Sequence, residues 1–319
     1  MTMTSPPDSG KASKNFDPEI QKRLDFVLAE KYIHTPRNKE LWFLLEDLML
    51  QVNHQNPKPK VMGCLFTGPP HSGKTTGIRQ FKKAYLENVA GSRDQDVIIS
   101  RIPSRARLKG VMVMLGCQIK IPDIPSNPDN SRNSCPTYVL VDKVAKKLWN
   151  DGTKLLIIDE FQKLFEISSE SRIEILEGFN DLLNESHVPI ILVGVAGVDK
   201  ILDLEQYEDR GNLRGTFCSR FPEFMLQPWN DPDELDYVKL LKTLHEDCGI
   251  FKDDSDAIFY KEFRARKRVL EMTDGLTGKI VLLIKWTARY IIRNGFPEKI
   301  TLELLERVYP EIKARGWME

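Results

Sequence analysis

Residues Gly68-Pro-Pro-His-Ser-Gly-Lys-Thr75 match the pattern G-x-x-x-x-G-K-[ST] at every fixed position, and this octapeptide constrains the fold more than any other stretch. The apolar run 61–67 before it reads as a buried parallel strand, and 75–86 after it reads as a helix. Strand, loop and helix therefore arrive in the order that a phosphate-binding loop requires. Gly68 and Gly73 let the backbone aim its N–H groups at phosphate oxygens, and the following helix adds the positive end of its dipole. Pro69, Pro70, His71 and Ser72 complete the loop. Lys74 would reach the β- and γ-phosphates of a nucleotide, and the Thr75 hydroxyl would ligate Mg²⁺, with Thr76 as its neighbour.

A second apolar run, Leu155-Leu-Ile-Ile-Asp-Glu160, ends in two carboxylates, at the end of a strand where ligands of parallel sheets collect. Asp159 would hold Mg²⁺, directly or through water, and Glu160 would orient and deprotonate an attacking water. Further strands at 96–101 and 189–194 alternate with helices at 108–118, 137–149 and 171–184. This alternation implies an α/β core, a parallel sheet with helices on both faces. Two helices at 17–31 and 38–52 lead into it and are expected to pack beside it. From residue 231 the pattern is wholly helical, at 231–248, 255–272, 279–294 and 301–313, which implies a small all-helical lid domain after the core. The expected division is a disordered tail at 1–16, a nucleotide-binding core with N-terminal helices at 17–228, and a helical lid with a C-terminal tail at 229–319.

Lysine plus arginine and aspartate plus glutamate both number 46, so bulk charge attracts no nucleic acid and any such binding needs a local patch. Arg101, Arg105, Arg107 and Lys109 form one, four cations without an acid at the end of the strand 96–101. They would grip a DNA backbone by releasing its counterions; the plainer alternative is a solvated basic loop. The segment 210–221 carries Arg210, Arg214 and Arg220. An arginine from here, inserted into a neighbouring subunit's site, would stabilise charge on a transferring phosphoryl group. The Pro- and Asn-rich stretch 119–136 reads as an exposed loop. Five scattered cysteines, odd in number and without Cys-x-x-Cys pairs, argue for free thiols rather than disulfides or a zinc site. No apolar stretch approaches a membrane span and the polar start lacks the apolar core of a signal peptide, so the expected location is cytoplasmic, with no membrane partner.

The motifs Gly68 to Thr75, Ile157-Ile-Asp-Glu-Phe161, Ser219-Arg-Phe221 and Gly275-Leu-Thr-Gly-Lys279, in this order and spacing, resemble an AAA+ ATPase. Within that superfamily the chain resembles the transposon-encoded TniB/TnsC regulators over about residues 17–310. Arg23-Leu24, Tyr32-Ile-His-Thr-Pro36 and Arg101-Ile-Pro103 carry that likeness more specifically than the phosphate loop does. The resemblance implies an AAA+ ATPase that uses ATP and Mg²⁺ and forms a homo-oligomeric ring or filament on double-stranded DNA. It further implies a link between a target-selector protein of the TniQ/TnsD type and a transposase. Carried over by position, Lys74 and Thr75 bind phosphate and metal, Asp159 and Glu160 serve metal and water, and Arg220 is the finger acting in trans. Lys279, opening a lid helix, senses the γ-phosphate. Two positions depart from the family. Where such ATPases usually place a polar sensor the chain reads Gly194-Val195-Ala196, which implies slow hydrolysis, and Lys279 replaces an arginine and lacks its bidentate fork. Two alternatives stay open. A P-loop small-molecule kinase would share Lys74 and Thr75 without needing the Ser219-Arg-Phe221 finger, and a nucleotide-binding signalling scaffold with little hydrolysis would suit the missing sensor.

Overall fold

A run such as Leu155-Leu-Ile-Ile158 has no polar alternation, so as a strand it must be covered on both faces. The computed structural model, which describes residues 18–29, 36–52, 60–122, 124, 135–195, 197, 213–247, 259–297 and 299–316, meets that requirement. Five parallel strands, β1 (Cys64–Thr67), β2 (Val97–Arg101), β3 (Leu155–Asp159), β4 (Ile190–Val193) and β5 (Glu223–Met225), form one sheet in the order β2-β3-β4-β1-β5. Alternate side chains leave opposite faces. Leu65, Leu156, Ile158, Ile190 and Leu192 pack with α4 (Leu108–Gln118), α5 (Thr137–Asn150) and α6 (Ser169–Ser186). Cys64, Phe66, Leu155, Ile157, Ile191 and Val193 pack with α2 (Pro36–Leu50) and α3 (Lys74–Asn88). Full burial of each such Leu or Ile is worth about 1.5–3 kcal/mol, so this double layer dominates the stability of the core.

The chain divides into two compact units. One contains the sheet, α2 to α6, α7 (Leu213–Arg220) and the short stretch Leu276–Gly278. The other contains α1 (Pro18–Leu28), α8 (Leu235–Asp247), α9 (Phe263–Thr273), most of α10 (Thr277–Asn294) and α11 (Leu302–Ala314). Helix α1 thus groups with the C-terminal helices rather than with the sheet, and Lys285 Nζ on α10 donates to Ala29 O at its end, 2.7 Å. Within this helical unit Tyr237 is fully buried, its hydroxyl donating to Arg266 O at 3.1 Å, and burial pushes its phenol above the usual range. Thr301 caps α11 by accepting from Leu304 N.

The expected helices at 108–118, 137–149 and 171–184 are present within a residue or two at each end. Of the helix expected over 255–272, residues 255–258 lie outside the described residues, and the described part is helical only from Phe263, because Phe259 and Tyr260 form a turn whose rings pack inward against His245. Two elements had no counterpart in the sequence pattern, α7 and β5. Helix α7 contains Gly215 and Thr216, poor helix formers, and it is held by the buried Phe217, which stacks on Phe221 at 4.5 Å. Strand β5 is three residues long and sits at the sheet edge. The tail 1–16, the connector 32–35, most of the 119–136 loop, Ala196, Arg210 and Cys248 lie outside the described residues. The four described cysteines, Cys64, Cys117, Cys135 and Cys218, are free thiols, and burial pushes Cys64 up to about 12.

At the N-terminal ends of β2 and β3 a buried carboxylate ties three elements together. Asp96, 2% exposed, accepts from Arg93 at 3.0 Å and from the Tyr85 hydroxyl of α3 at 3.0 Å, and lies 3.5 Å from Lys154 Nζ. Replacing Asp96 with Ala should destabilise the fold by about 3 kcal/mol, the lower end for a broken buried pair because Arg93 and Lys154 keep access to water. Urea unfolding of the variant measures this, and a destabilisation under about 1 kcal/mol would mean that the network holds nothing together.

Candidate functional site

The sheet order sets the C-terminal ends of β1 and β3 on either side of β4, and the loop after β1 rises from that edge. Its turn depends on glycine at two places. Gly73 has φ 93° at the start of α3, in the left-handed region that favours glycine, and a β-carbon on Gly68 would lie 2.9 Å from Leu226 O. Lys74 Nζ donates to Gly68 O at 2.8 Å, to Pro69 O at 2.7 Å and to Ser72 Oγ at 3.2 Å. Burial lowers the Lys74 pKa to about 8, against the opposing pull of Asp159 and Glu160, which leaves the ammonium charged at neutral pH.

Thr75 Oγ1, in the first turn of α3, donates to Asp159 Oδ2 at 2.8 Å. The other oxygen, Oδ1, accepts from Glu160 N at 2.9 Å, so both lone-pair edges of Asp159 are fixed. Glu160 has φ 64° and ψ 32°, a left-handed conformation uncommon for glutamate, with a cost of order 1 kcal/mol. Its carboxylate accepts from Gln162 Nε2 at 2.8 Å. The donor set of the Thr75 hydroxyl and the Asp159 carboxylate fits Mg²⁺, which prefers hard oxygen, takes few protein ligands and fills the remaining positions with water and phosphate oxygens.

His71, in the middle of the loop, also has a positive φ of 60°. Its carbonyl accepts from Gly278 N at 2.7 Å, and a β-carbon on Gly278 would lie 2.6 Å from that oxygen. The start of α10 is thereby seated on the loop, and Trp229 Nε1 donating to Thr277 Oγ1 at 3.1 Å anchors it further. Lys279 is buried, its ammonium donating to Asp274 Oδ2 at 3.1 Å. Arg220, in the last turn of α7, donates from Nη1 to Asn184 Oδ1 of α6, and its carbonyl accepts from Gly63 N at 2.8 Å. Val195, after β4, is an apolar side chain packed against the core and brings no hydrogen-bonding side chain to that position.

The basic residues form a separate group. Arg101 ends β2, its Cα in register with Asp159, and Arg105 has φ 54°. Arg107 precedes α4, and Lys109 stands in its first turn. Arg101, Arg105 and Arg107 are exposed and make no ion pair among the described residues. Helix α4 has no side-chain cap and no acid in its first turn, so these cations stand at the positive end of its dipole, where an anion would relieve them.

The fold thus brings Gly68 to Thr76, Asp159 and Glu160, all expected from sequence, to one place. Sequence reasoning missed Gln162, which holds Glu160, and Asn184, which holds Arg220; nothing local marked either. Gly278 stood out only as part of a motif, and the close approach to His71 is the physical reason for glycine there. The profile of the family described as Bacterial TniB protein matches residues 23–231. The chain belongs to the TniB family. This TniB-family chain is similar in structure to the Walker-type ATPase PABY2304 of Pyrococcus abyssi, with a TM-score of 0.51 and 17% identity over 88% of this chain and 71% of that one. It is also similar to a chain of Drosophila ORC bound to DNA, with a TM-score of 0.51 and 11% identity over 99% of this chain and 73% of that one. These likenesses show the fold, a P-loop core of AAA+ type followed by a helical region. No curated protein sequence matches the chain.

Gly278→Ala should cost about 1–3 kcal/mol of stability, because the added methyl must displace either the loop carbonyl or the start of α10. Chemical denaturation reads this directly, and an unchanged stability would mean that the two segments part without cost.

Proposed function

We propose that this TniB-family protein is an ATP-hydrolysing, DNA-binding regulator that assembles on double-stranded DNA and connects a target selector to a transposase. The observation that carries the reading is the contact of Thr75 with Asp159 beside Glu160, because it gathers a phosphate loop, a metal-binding pair and a carboxylate base at one sheet edge. Lys74 and the loop N–H groups bind the nucleotide phosphates. Thr75 and Asp159 hold Mg²⁺, which when bound neutralises charge on the phosphates. Glu160 orients the attacking water and accepts its proton, and Gln162 keeps the carboxylate aimed. Arg220 serves the site of the adjacent subunit, which makes assembly a condition of turnover, and Asn184 sets its direction. Lys279 responds to the γ-phosphate by exchanging its contact with Asp274. The absence of a polar side chain at Val195 fits slow turnover, which suits a switch whose assembled state must persist. The target selector, of TniQ/TnsD type, and the transposase enter the proposal through family membership alone.

Glu160→Gln should retain ATP binding while lowering turnover by about 10²–10⁴-fold, the usual worth of a general base. Arg220→Ala should also be inactive, and mixing the two variants should restore part of the activity, since some interfaces then pair an intact arginine with an intact glutamate. Turnover that survives in Glu160→Gln would remove the base assignment, and no recovery at any mixing ratio would place Arg220 in its own subunit's chemistry or in structure.

The DNA-binding part rests on Arg101, Arg105, Arg107 and Lys109 at the start of α4. Phosphate contacts of this kind position a protein without reading bases, so binding should tolerate many sequences. In Arg105→Ala/Arg107→Ala the slope of log affinity against log salt should flatten by about 0.9 for every duplex phosphate that is no longer neutralised, with ATP present. An unchanged slope with intact assembly would take this segment off the DNA surface.

A further inference from the structure

Two helix faces, one on each compact unit, are left uncovered with charges of opposite sign. On α2, Phe43 is 64% exposed and Leu50 is 81% exposed. Seven residues apart, they share one face of the helix at a separation of about 10 Å. At about 100° per residue, exposed Glu40 and Asp47 flank this apolar stripe on one side and exposed Glu46 and Lys39 on the other. Three acids against one lysine leave an excess of two negative charges, and none of the four side chains has a hydrogen bond or ion pair among the described residues. A surface helix ordinarily carries polar residues at such positions, and two large apolar side chains rimmed by unpaired charge mark a contact site.

On α9 the balance is the reverse. Phe263 is 52% exposed, exposed Lys267 stands one turn on from it, and exposed Arg264 and Lys261 follow in steps of three residues. Glu271 and Glu306 are taken up by Arg268, at 2.9 and 3.1 Å. Among the charges here that have no partner in the described residues, Lys261, Arg264 and Lys267 face one acid, Glu262, an excess of two positive charges. Duplex DNA would suit this face and be repelled by that of α2, whereas a second copy of the chain satisfies both at once. We propose that the acidic face of α2 in one copy docks on the basic face of α9 in the next, with Phe43 and Leu50 covered against Phe263. Because the two faces differ, each contact leaves one acidic and one basic face open for further copies, so the contact is head-to-tail and propagates into a ring or filament.

This contact rests on the reading that the protein assembles, and light scattering of the full-length chain with ATP and a short DNA duplex tests the two separately. Glu46→Lys/Asp47→Lys makes both faces basic and Arg264→Glu/Lys267→Glu makes both acidic. Each variant alone should therefore need about tenfold more protein than the unaltered chain, or more still, to reach half-assembly. An equimolar mixture of the two sets every reversed face against one of opposite sign and should assemble as the unaltered chain does. A single chain carrying all four substitutions should recover in the same way, which a variant that failed to fold would not do. If the unaltered chain does not assemble, the assembly reading and this contact fall together. If it assembles and the two variants do so as readily, or if neither the mixture nor the fourfold variant recovers, the contact of α2 with α9 alone is overturned.

Discussion

The hydrogen bond from Thr75 to Asp159 joins residues 84 positions apart, and the rest of the core exists in the form that permits it. It needs β3 to end beside the loop that follows β1. A strand of four apolar residues that is covered on both faces cannot slide by one position without drawing the charge of Lys154 or Asp159 into the core, so burial fixes the register of β3. Once that register is fixed, the first polar residue of the strand must emerge at its C-terminal edge. Asp159 is that residue, and parallel pairing through β4 sets it at the edge from which the phosphate loop rises.

The loop, both carboxylates and the alternation of strands and helices were legible in the sequence because each is a local pattern with its own physical cause. Gly68 to Thr75 declares a turn, a cation and a hydroxyl at fixed spacing; Leu155 to Glu160 declares a buried strand with a charged end. Helix α7 and strand β5 were not legible because tertiary contacts hold them. Phe217 and Phe221 bury their rings, and β5 pairs with β1 through only three residues, one of which, Glu223, receives the Thr67 hydroxyl at 2.5 Å. Asn184 and Gln162 were invisible for the same reason: a side-chain amide that orients a distant charge leaves no periodic trace. The contact of Gly278 with His71 needed coordinates, since a glycine in a motif does not say which backbone comes close.

Of the six non-glycine residues with positive φ among those described, His71 lies in the phosphate loop, Glu160 at the carboxylate end of β3 and Arg105 in the basic segment. Such conformations persist only where surrounding contacts over-determine them. For His71 the contact is the carbonyl bond to Gly278, and for Glu160 it is the pair of bonds from its own N–H to Asp159 and from Gln162 to its carboxylate. The first device works through the backbone and the second through side chains as well, so the loop and the carboxylate are set before any ligand arrives. In the proposed chemistry this lowers the reorganisation that binding would otherwise require.

Zero net charge takes on meaning once the charges are located. A strongly basic protein would be drawn to DNA everywhere on its surface, and its subunits would repel one another when crowded along a duplex. Here the 46 cations are offset by 46 anions, so copies carry no long-range repulsion, while local groups such as Arg101 to Lys109 keep a positive face. At physiological ionic strength fields fade over about 8 Å, so such a face acts only on a polyanion already close to it. A neutral body with separate basic faces is therefore suited to assembling with itself and gripping phosphate at the same time, as the proposed assembly on DNA demands of every subunit.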